Sequence, residues 1–353
     1  MRKFSLLLML LGIVMSAQAQ KPAMDHSVYD SWKNLNAISV PRNGDILMYT
    51  IAPQEGDADL IIENIRTGKK IVVPRATKAT LNQDGSKVVA VIKPMFSQTR
   101  DAKIKKTKKD DMPKDSLAII DVKTGKVDKF ANYKSHATAS KWTSFVAFEL
   151  TPAKEKPAKK DDAKDDKKPA TPKKDNKALI VMNVQTAQVD TIKNVSSYKF
   201  NEEGNLLAYV VEPEKKDSLG KAGLYLYNTA NGEKKEVLTG EKGSKFKTPS
   251  FSKTNTLAFY ANTDTTKAGK KNISIYLYDI HAGKVQLAAH NGMKGLQEGW
   301  IVSEDGTLSF SKDGKRLFFG TAPKPLEKDT TVAEFEQPQL DIWTWNEDYL
   351  QTV

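Results

Sequence analysis

Asn82-Gln83-Asp84-Gly85-Ser86-Lys87-Val88-Val89-Ala90-Val91 is a tight polar turn that runs straight into an apolar strand. Asp-Gly accepts positive φ at little cost, so it closes an antiparallel hairpin, and the valines behind it suit a buried strand. The same phrase returns at 41–49, 201–209, 252–260 and 311–319, with a copy lacking glycine at 141–148. A second phrase follows each first one: an alternating strand, then Asp or Asn, then a short turn and another strand. Its copies lie at 60–70, 117–126, 179–188, 224–234, 273–284 and 340–349, their turns headed by Asn64, Asp121, Asn183, Asn228, Asp279 and Asn346.

Two hairpins per unit, repeated about six times, define four short strands every 40 to 60 residues or so. Period-two alternation, as in Ile273, Ile275 and Leu277 against Ser274, Tyr276 and Tyr278, marks half-buried strands. The fold class expected is therefore all-β: a β-propeller of about six four-stranded blade-like repeats. A sandwich would not repeat its own sequence in this way. Residues 350–353 are too few to finish the last strand, so an incomplete ring, and a chain cut short of its natural end, are expected. Up-and-down order puts both short turns of a unit at one end of its sheet and the variable gaps at the other. A partner domain is expected at the end with the short turns.

Length and composition agree: 353 residues with 39% apolar content can bury a substantial core. Cysteine is absent, which excludes disulfides, thiolate nucleophiles, cysteine-bound zinc and iron–sulfur clusters. The formal charge of +12 would ordinarily point to a polyanion. Yet residues 97–116 carry seven basic and four acidic residues, and 151–177 carry ten and six. With Arg2 and Lys3 set aside as well, only +3 is left for everything else. Both insertions are expected to be solvated and disordered, and without interleaved aromatics they give no nucleic-acid site.

Residues 1–19 read as a secretory signal peptide: Arg2 and Lys3, then a run of about a dozen apolar residues, then Ala17-Gln18-Ala19 as the cleavage site. Residues 20–353 form the propeller, with no membrane span in the mature chain, in the periplasm or secreted.

No residue is assigned a catalytic, cofactor-binding or metal-ligating role, and no cofactor is expected. His26, His136, His281 and His290 are scattered and read as loop or surface residues. Glu202-Glu203 occupies a hairpin turn. Asp161-Asp162 and Asp165-Asp166 lie in a lysine-balanced tract with no preformed oxygen cage. Trp142, Trp300, Trp343 and Trp345 are expected to fill the spaces between blades.

The turn-strand phrases at 82–91, 201–209 and 311–319, the Asp-x-x-Thr-Gly turn at 121–125, and above all Leu340-Asp341-Ile342-Trp343-Thr344-Trp345-Asn346-Glu347-Asp348-Tyr349-Leu350-Gln351 resemble the N-terminal propeller of secreted bacterial serine peptidases of the prolyl oligopeptidase family. That resemblance implies a propeller that narrows access of peptide substrates to a C-terminal α/β-hydrolase domain with a Ser-Asp-His triad. Here no Gly-x-Ser-x-Gly nucleophile elbow occurs, so the catalytic domain is missing from this sequence. The alternative is a free-standing TolB-like propeller that scaffolds protein partners at the cell envelope.

Overall fold

A computed structural model describes residues 26–151, 178–213, 220–241, 243–262 and 273–324. The leader, most of the insertion at 151–177 with Asp161, Asp162, Asp165 and Asp166, and the last repeat with Trp343 and Trp345 lie outside the described residues.

Five four-stranded antiparallel sheets follow one another along the chain, each an up-and-down meander. The first comprises β1 (Lys33–Ser39), β2 (Ile46–Pro53), β3 (Asp59–Asn64) and β4 (Lys70–Pro74). The second comprises β5 (Ala76–Leu81), β6 (Lys87–Ile92), β7 (Ser116–Asp121) and β8 (Val127–Phe130). The third comprises β9 (Tyr133–Ala137), β10 (Phe145–Leu150), β11 (Ala178–Asn183) and β12 (Val189–Lys193). The fourth comprises β13 (Val195–Phe200), β14 (Leu206–Val211), β15 (Ala222–Asn228) and β16 (Lys234–Gly240), and the fifth β17 (Lys245–Phe251), β18 (Thr256–Asn262), β19 (Ser274–Asp279) and β20 (Lys284–Ala289). These are the blade-like units expected of the all-β class.

The second phrase owes its recurrence to one turn. The carboxylate oxygen of Asp121 accepts the Thr124 N–H at 2.7 Å, while the Asp121 carbonyl accepts the Gly125 N–H at 2.8 Å. Asn64, Asn183 and Asp279 use their side-chain oxygens in the same way, and Asn228 takes the Ala230 N–H at 2.9 Å. The closing residue is left-handed in all five copies: Gly68, Gly125, Gly232 and Gly283 at φ 66–80°, and Ala187 at φ 60°. Glycine fills that conformation without strain, whereas alanine crowds its Cβ against the carbonyl.

The two turns of each sheet are then tied together. The Val122 N–H donates to the Ser86 carbonyl at 2.9 Å, and Ile65 to Asp45, Val184 to Ser144, Thr229 to Asn205 and Ile280 to Asn255 bond likewise. Both short turns therefore lie at one end of every sheet, with the longer connections at the other, as up-and-down order requires.

Side-chain parity in the middle strands builds the core. Val88, Ala90 and Ile92 of β6, with Ala118 and Ile120 of β7, pack against Ile46, Met48, Leu60, Ile62 and Val73 of the first sheet. Val89, Leu117 and Ile119 point the other way, into a cluster with Val146, Phe148, Leu179 and Val181 of the third. A strand buried on both faces reads as a continuous apolar run, which is why Val88-Val89-Ala90-Val91 does not alternate. Tyr278 shows the same effect against the half-buried reading: it is buried together with its cross-strand partner Leu257, because both faces of that sheet are covered. Trp142 is 2% exposed and donates its indole N–H to the Leu81 carbonyl at 3.2 Å, filling the space between the second and third sheets. The Gln83 N–H to the Trp142 carbonyl, 3.1 Å, and the Asn82 amide to the Thr143 carbonyl, 3.0 Å, join the same two sheets.

Two expectations change. Within 97–116 the chain forms helix α1 (Phe96–Ile104), not a disordered loop; its start is fixed by the Phe96 N–H donating to the Asp57 carboxylate at 2.9 Å, and it buries no residue. The sixth unit is represented by a hairpin interrupted midway: β21 (Trp300–Ser303) pairs with β24 (Gly320–Pro323), and β22 (Ser309–Phe310) with β23 (Leu317–Phe318). Gly306 and Gly320 meet backbone to backbone at the interruption, where a Cβ on Gly306 would lie 2.4 Å from the Gly320 Cα. Trp300 sits partly buried in β21, while the expected second hairpin at 340–349 lies outside the described residues. The chain divides into two compact units, residues 1–211 with 225–235 and residues 212–224 with 236–353.

Ala187 and Gly125 occupy equivalent turn positions and give a matched test. Ala187→Gly is expected to raise stability by about 1 kcal/mol and Gly125→Ala to lower it by about as much. Urea midpoints of the two variants, moving in opposite directions at unchanged slope, check the turn assignment.

Candidate functional site

Each sheet's first strand departs from regular pairing. Register shifts fall between Asn36 and Ser39 in β1, Thr77 and Thr80 in β5, Tyr133 and Ser135 in β9, Val195 and Ser197 in β13, and Lys247 and Ser250 in β17. A bulge sets two successive side chains on one face and re-aims those that follow. In β9 it places Lys134 and Ser135 together opposite Glu149, and so returns Tyr133 and His136 to the other face.

The face with Ser135 holds a closed polar network. Glu149 is 4% exposed, takes an ion pair from the Lys134 ammonium and lies 3.5 Å from the Ser135 hydroxyl, which meets the Tyr198 hydroxyl of β13 at 2.8 Å. Burial pushes the Tyr198 phenol well above its ordinary range. A carboxylate so enclosed persists only because its charge is paired. Acyl transfer needs a base on the serine; the histidine of β9 points to the opposite face, and the Glu149 oxygen nearest Ser135 is taken by the Lys134 ammonium.

The opposite face turns toward the second sheet, where Phe148, the cross-strand partner of His136, is buried against Phe130. His136 pairs through Nδ1 with the Tyr133 hydroxyl at 2.9 Å, and the two rings pack with centroids 5.6 Å apart. Burial, and then the charge of Lys78 on β5, hold the His136 pKa below its ordinary value. Lys78 itself sits in the β5 bulge at φ 49°. His136 therefore corrects the reading of all four histidines as loop or surface residues, for it is a half-buried strand residue. Alternation alone could not have aimed it, because the bulge at Lys134 reverses parity midway along the strand.

The other histidines stay apart. His26 is exposed in a 3-10 turn beside Tyr29, at a ring-centroid distance of 5.1 Å. His281 meets the Asn255 amide at 2.8 Å, and His290 contacts the Asn291 carbonyl next to it at 2.9 Å. Glu202 and Glu203 occupy the turn between β13 and β14, both on the Lys141 ammonium at 3.0 and 2.5 Å, and so link the third and fourth sheets. Among the described residues no group of three or more His, Asp or Glu could hold a metal ion, and no helix is long and apolar enough to cross a membrane. A shallow pocket of ≈ 220 Å³ opens where the second turns of the first two sheets meet, floored by Ile62, Ile71 and Val122 with Lys69 and Lys123 at its mouth.

No family model and no curated protein matches the chain. Among solved structures it is similar to the β-propeller domain of the trilobed protease from Pyrococcus furiosus, at 12% identity and TM-score 0.39 over 77% of this chain and 78% of that one. It is also similar to the acylaminoacyl peptidase of Pyrococcus horikoshii, at 14% identity and TM-score 0.38, over 79% of this chain and 44% of that one. A third is the oligogalacturonate lyase of Vibrio parahaemolyticus, at 16% identity and TM-score 0.40 over 81% and 74%.

A depressed histidine pKa has a signed consequence. The unfolded chain binds a proton that folded His136 does not, so its contribution to stability is full above the unfolded pKa near ~6.5 and is lost as pH falls through the lower folded value. His136→Gln is expected to flatten the fall in unfolding free energy between about pH 7.5 and about pH 5, measured by urea titration at each pH. Parallel curves for the two proteins would show that His136 does not titrate on folding.

Proposed function

We propose that the chain is the non-catalytic, substrate-gating propeller of an exported serine peptidase of the prolyl oligopeptidase type. The observation that carries the reading is the segment Leu340-Asp341-Ile342-Trp343-Thr344-Trp345 following a succession of Asp-Gly turn-strand phrases, on a chain whose first 19 residues read as a secretory leader. The described sheets suit such a role physically. The middle strands of the second sheet are sealed on both faces, and the variable chain is confined to one end of each sheet.

The peptidase chemistry itself, attack of an activated serine on a peptide carbonyl, belongs to the hydrolase domain of the parent. It needs a hydroxyl, an imidazole base and oxyanion donors within hydrogen-bond reach of one another. The contribution of residues 20–353 is to limit which peptides reach that centre and to carry it on a stable frame. A scaffold role for protein partners at the cell envelope is the second reading, favoured by the exposed apolar side chains Trp32, Leu35, Ile38 and Val40 in and beside β1.

Export is tested by expressing the full chain in a Gram-negative host and sequencing the mature N-terminus from the periplasmic fraction; cleavage after Ala19, leaving Gln20 first, is the expected result. A fluorophosphonate probe is expected to leave this chain unlabelled. The DNA beyond the Val353 codon is expected to continue in frame to Gly-x-Ser-x-Gly, and a longer product including it should label. Retention of the leader on a cytoplasmic product removes the export reading, and a stop codon there with a soluble monomeric product favours the scaffold.

A further inference from the structure

In an asparagine–glycine pair the glycine amide nitrogen can reach the carbon of the asparagine carboxamide with little hindrance, because glycine has no β-carbon and few forbidden conformations. The chain holds three such pairs, Asn43-Gly44, Asn231-Gly232 and Asn291-Gly292, each at a turn. Their glycine amides differ. The Gly44 N–H donates to the Pro41 carbonyl at 3.0 Å and the Gly232 N–H to the Asn228 carbonyl at 2.8 Å, so both are spent on holding their turns. The Gly292 N–H has no hydrogen-bond partner among the described residues.

Two further bonds converge on Asn291, which follows β20. Its side-chain Oδ1 accepts the N–H of Val302, a buried residue of β21, at 2.9 Å. His290 Nδ1 lies 2.9 Å from the Asn291 backbone carbonyl oxygen; a carbonyl only accepts, so Nδ1 carries a proton and donates. These bonds act on the two partners of one reaction. The Val302 N–H polarises the carboxamide and stabilises negative charge developing on Oδ1, as an oxyanion donor does. The His290 N–H stabilises negative charge on the Asn291–Gly292 peptide, which makes the Gly292 N–H easier to deprotonate. Asn43 and Asn231 also have an N–H on Oδ1, from Asp45 at 3.2 Å and Glu233 at 3.0 Å, but the glycine amide of each is tied. Gly292 is exposed, and nothing lies within 4 Å of where a Cβ on it would stand, so water has access.

We propose that Asn291 is a site of self-catalysed deamidation, assisted by His290 and the Val302 amide. The Gly292 nitrogen bonds to Cγ of Asn291 and gives up its proton to water. The Cγ–Nδ2 bond then breaks, and Nδ2 takes up a proton and leaves as ammonia, closing a cyclic imide. Water opens the imide at one of its two carbonyls, giving aspartate or isoaspartate. Aspartate adds a negative charge and keeps an acceptor for the Val302 N–H. Isoaspartate lengthens the backbone by one carbon and displaces the carboxylate, so the tie to β21 is lost. The inference is independent of the peptidase and scaffold readings, since it concerns chemistry within this chain alone.

The test is incubation of the full chain at mildly alkaline pH, folded and in concentrated urea, with proteolytic peptides followed over time by mass spectrometry and isoaspartate detected by an isoaspartate-specific methyltransferase. The folded chain is expected to convert Asn291 at least fivefold faster than Asn43 or Asn231. That lead is expected to collapse in urea, where the glycine amides of all three pairs are equally free. His290→Ala is expected to slow conversion of Asn291 at least twofold in the folded chain and to leave its rate in urea unchanged. The proposal is overturned if the folded chain leaves Asn291 intact or converts Asn43 or Asn231 as fast, if the lead at Asn291 persists in urea, or if His290→Ala converts at the original rate when folded.

Discussion

The structure depends on a side-chain oxygen at the end of each third strand that gathers the amides of the turn beyond it. Asp121 does this for Thr124 and Asn64 for Thr67, and a left-handed residue then returns the chain. Because the turn is locked, the register of the third and fourth strands is locked, and register decides which face each side chain takes. In β6 that choice sends Val88, Ala90 and Ile92 toward one neighbouring sheet and Val89 toward the other. Each fully buried Val or Ile of this kind contributes on the order of 1.5–3 kcal/mol, so a slip of one residue would forfeit the packing on both sides at once.

The same constraint separates a fixed end of each sheet from a variable one. At the fixed end the turns bond to each other and, through Asn82, Gln83 and Trp142, to the next sheet. Nothing there can lengthen without breaking a bond. The other end tolerates insertion, since a longer connection costs only slowly increasing closure entropy. Chemistry concentrates on the first strands instead, where bulges disturb the ladder and turn Lys134, Ser135 and His136 to different neighbours. Glu149 shows the expense of burying charge there, held by Lys134 and a serine that is itself held by Tyr198.

Much of the fold was legible from turn chemistry. Asn82-x-x-Gly85 and Asp121-x-x-x-Gly125 announce their hairpins because only a few residues accept left-handed backbone and Asx side chains are among the few that cap the amides that follow. The copy at 141–148 was legible despite lacking glycine, since its apolar run survives. The helix at 96–104 was not, because it buries nothing and so leaves no periodic stripe; a single bond from Asp57, distant in sequence, fixes its start. His136 was misread for a related reason. A bulge leaves no mark in composition, and only cross-strand pairing with Glu149 and Leu150 reveals that parity changes between Tyr133 and Ser135.

Amide hydrogen–deuterium exchange, read peptide by peptide on the full chain, tests the central claim most directly. The account requires five repeats of one pattern: slow exchange through the second and third strands of each sheet and at the turn-closing amides of residues 68, 125, 187, 232 and 283, with fast exchange in the long connections between them. Uniformly fast exchange across 87–92 and 116–125, or protection confined to one block of the chain, would contradict a fold built from successive turn-locked sheets.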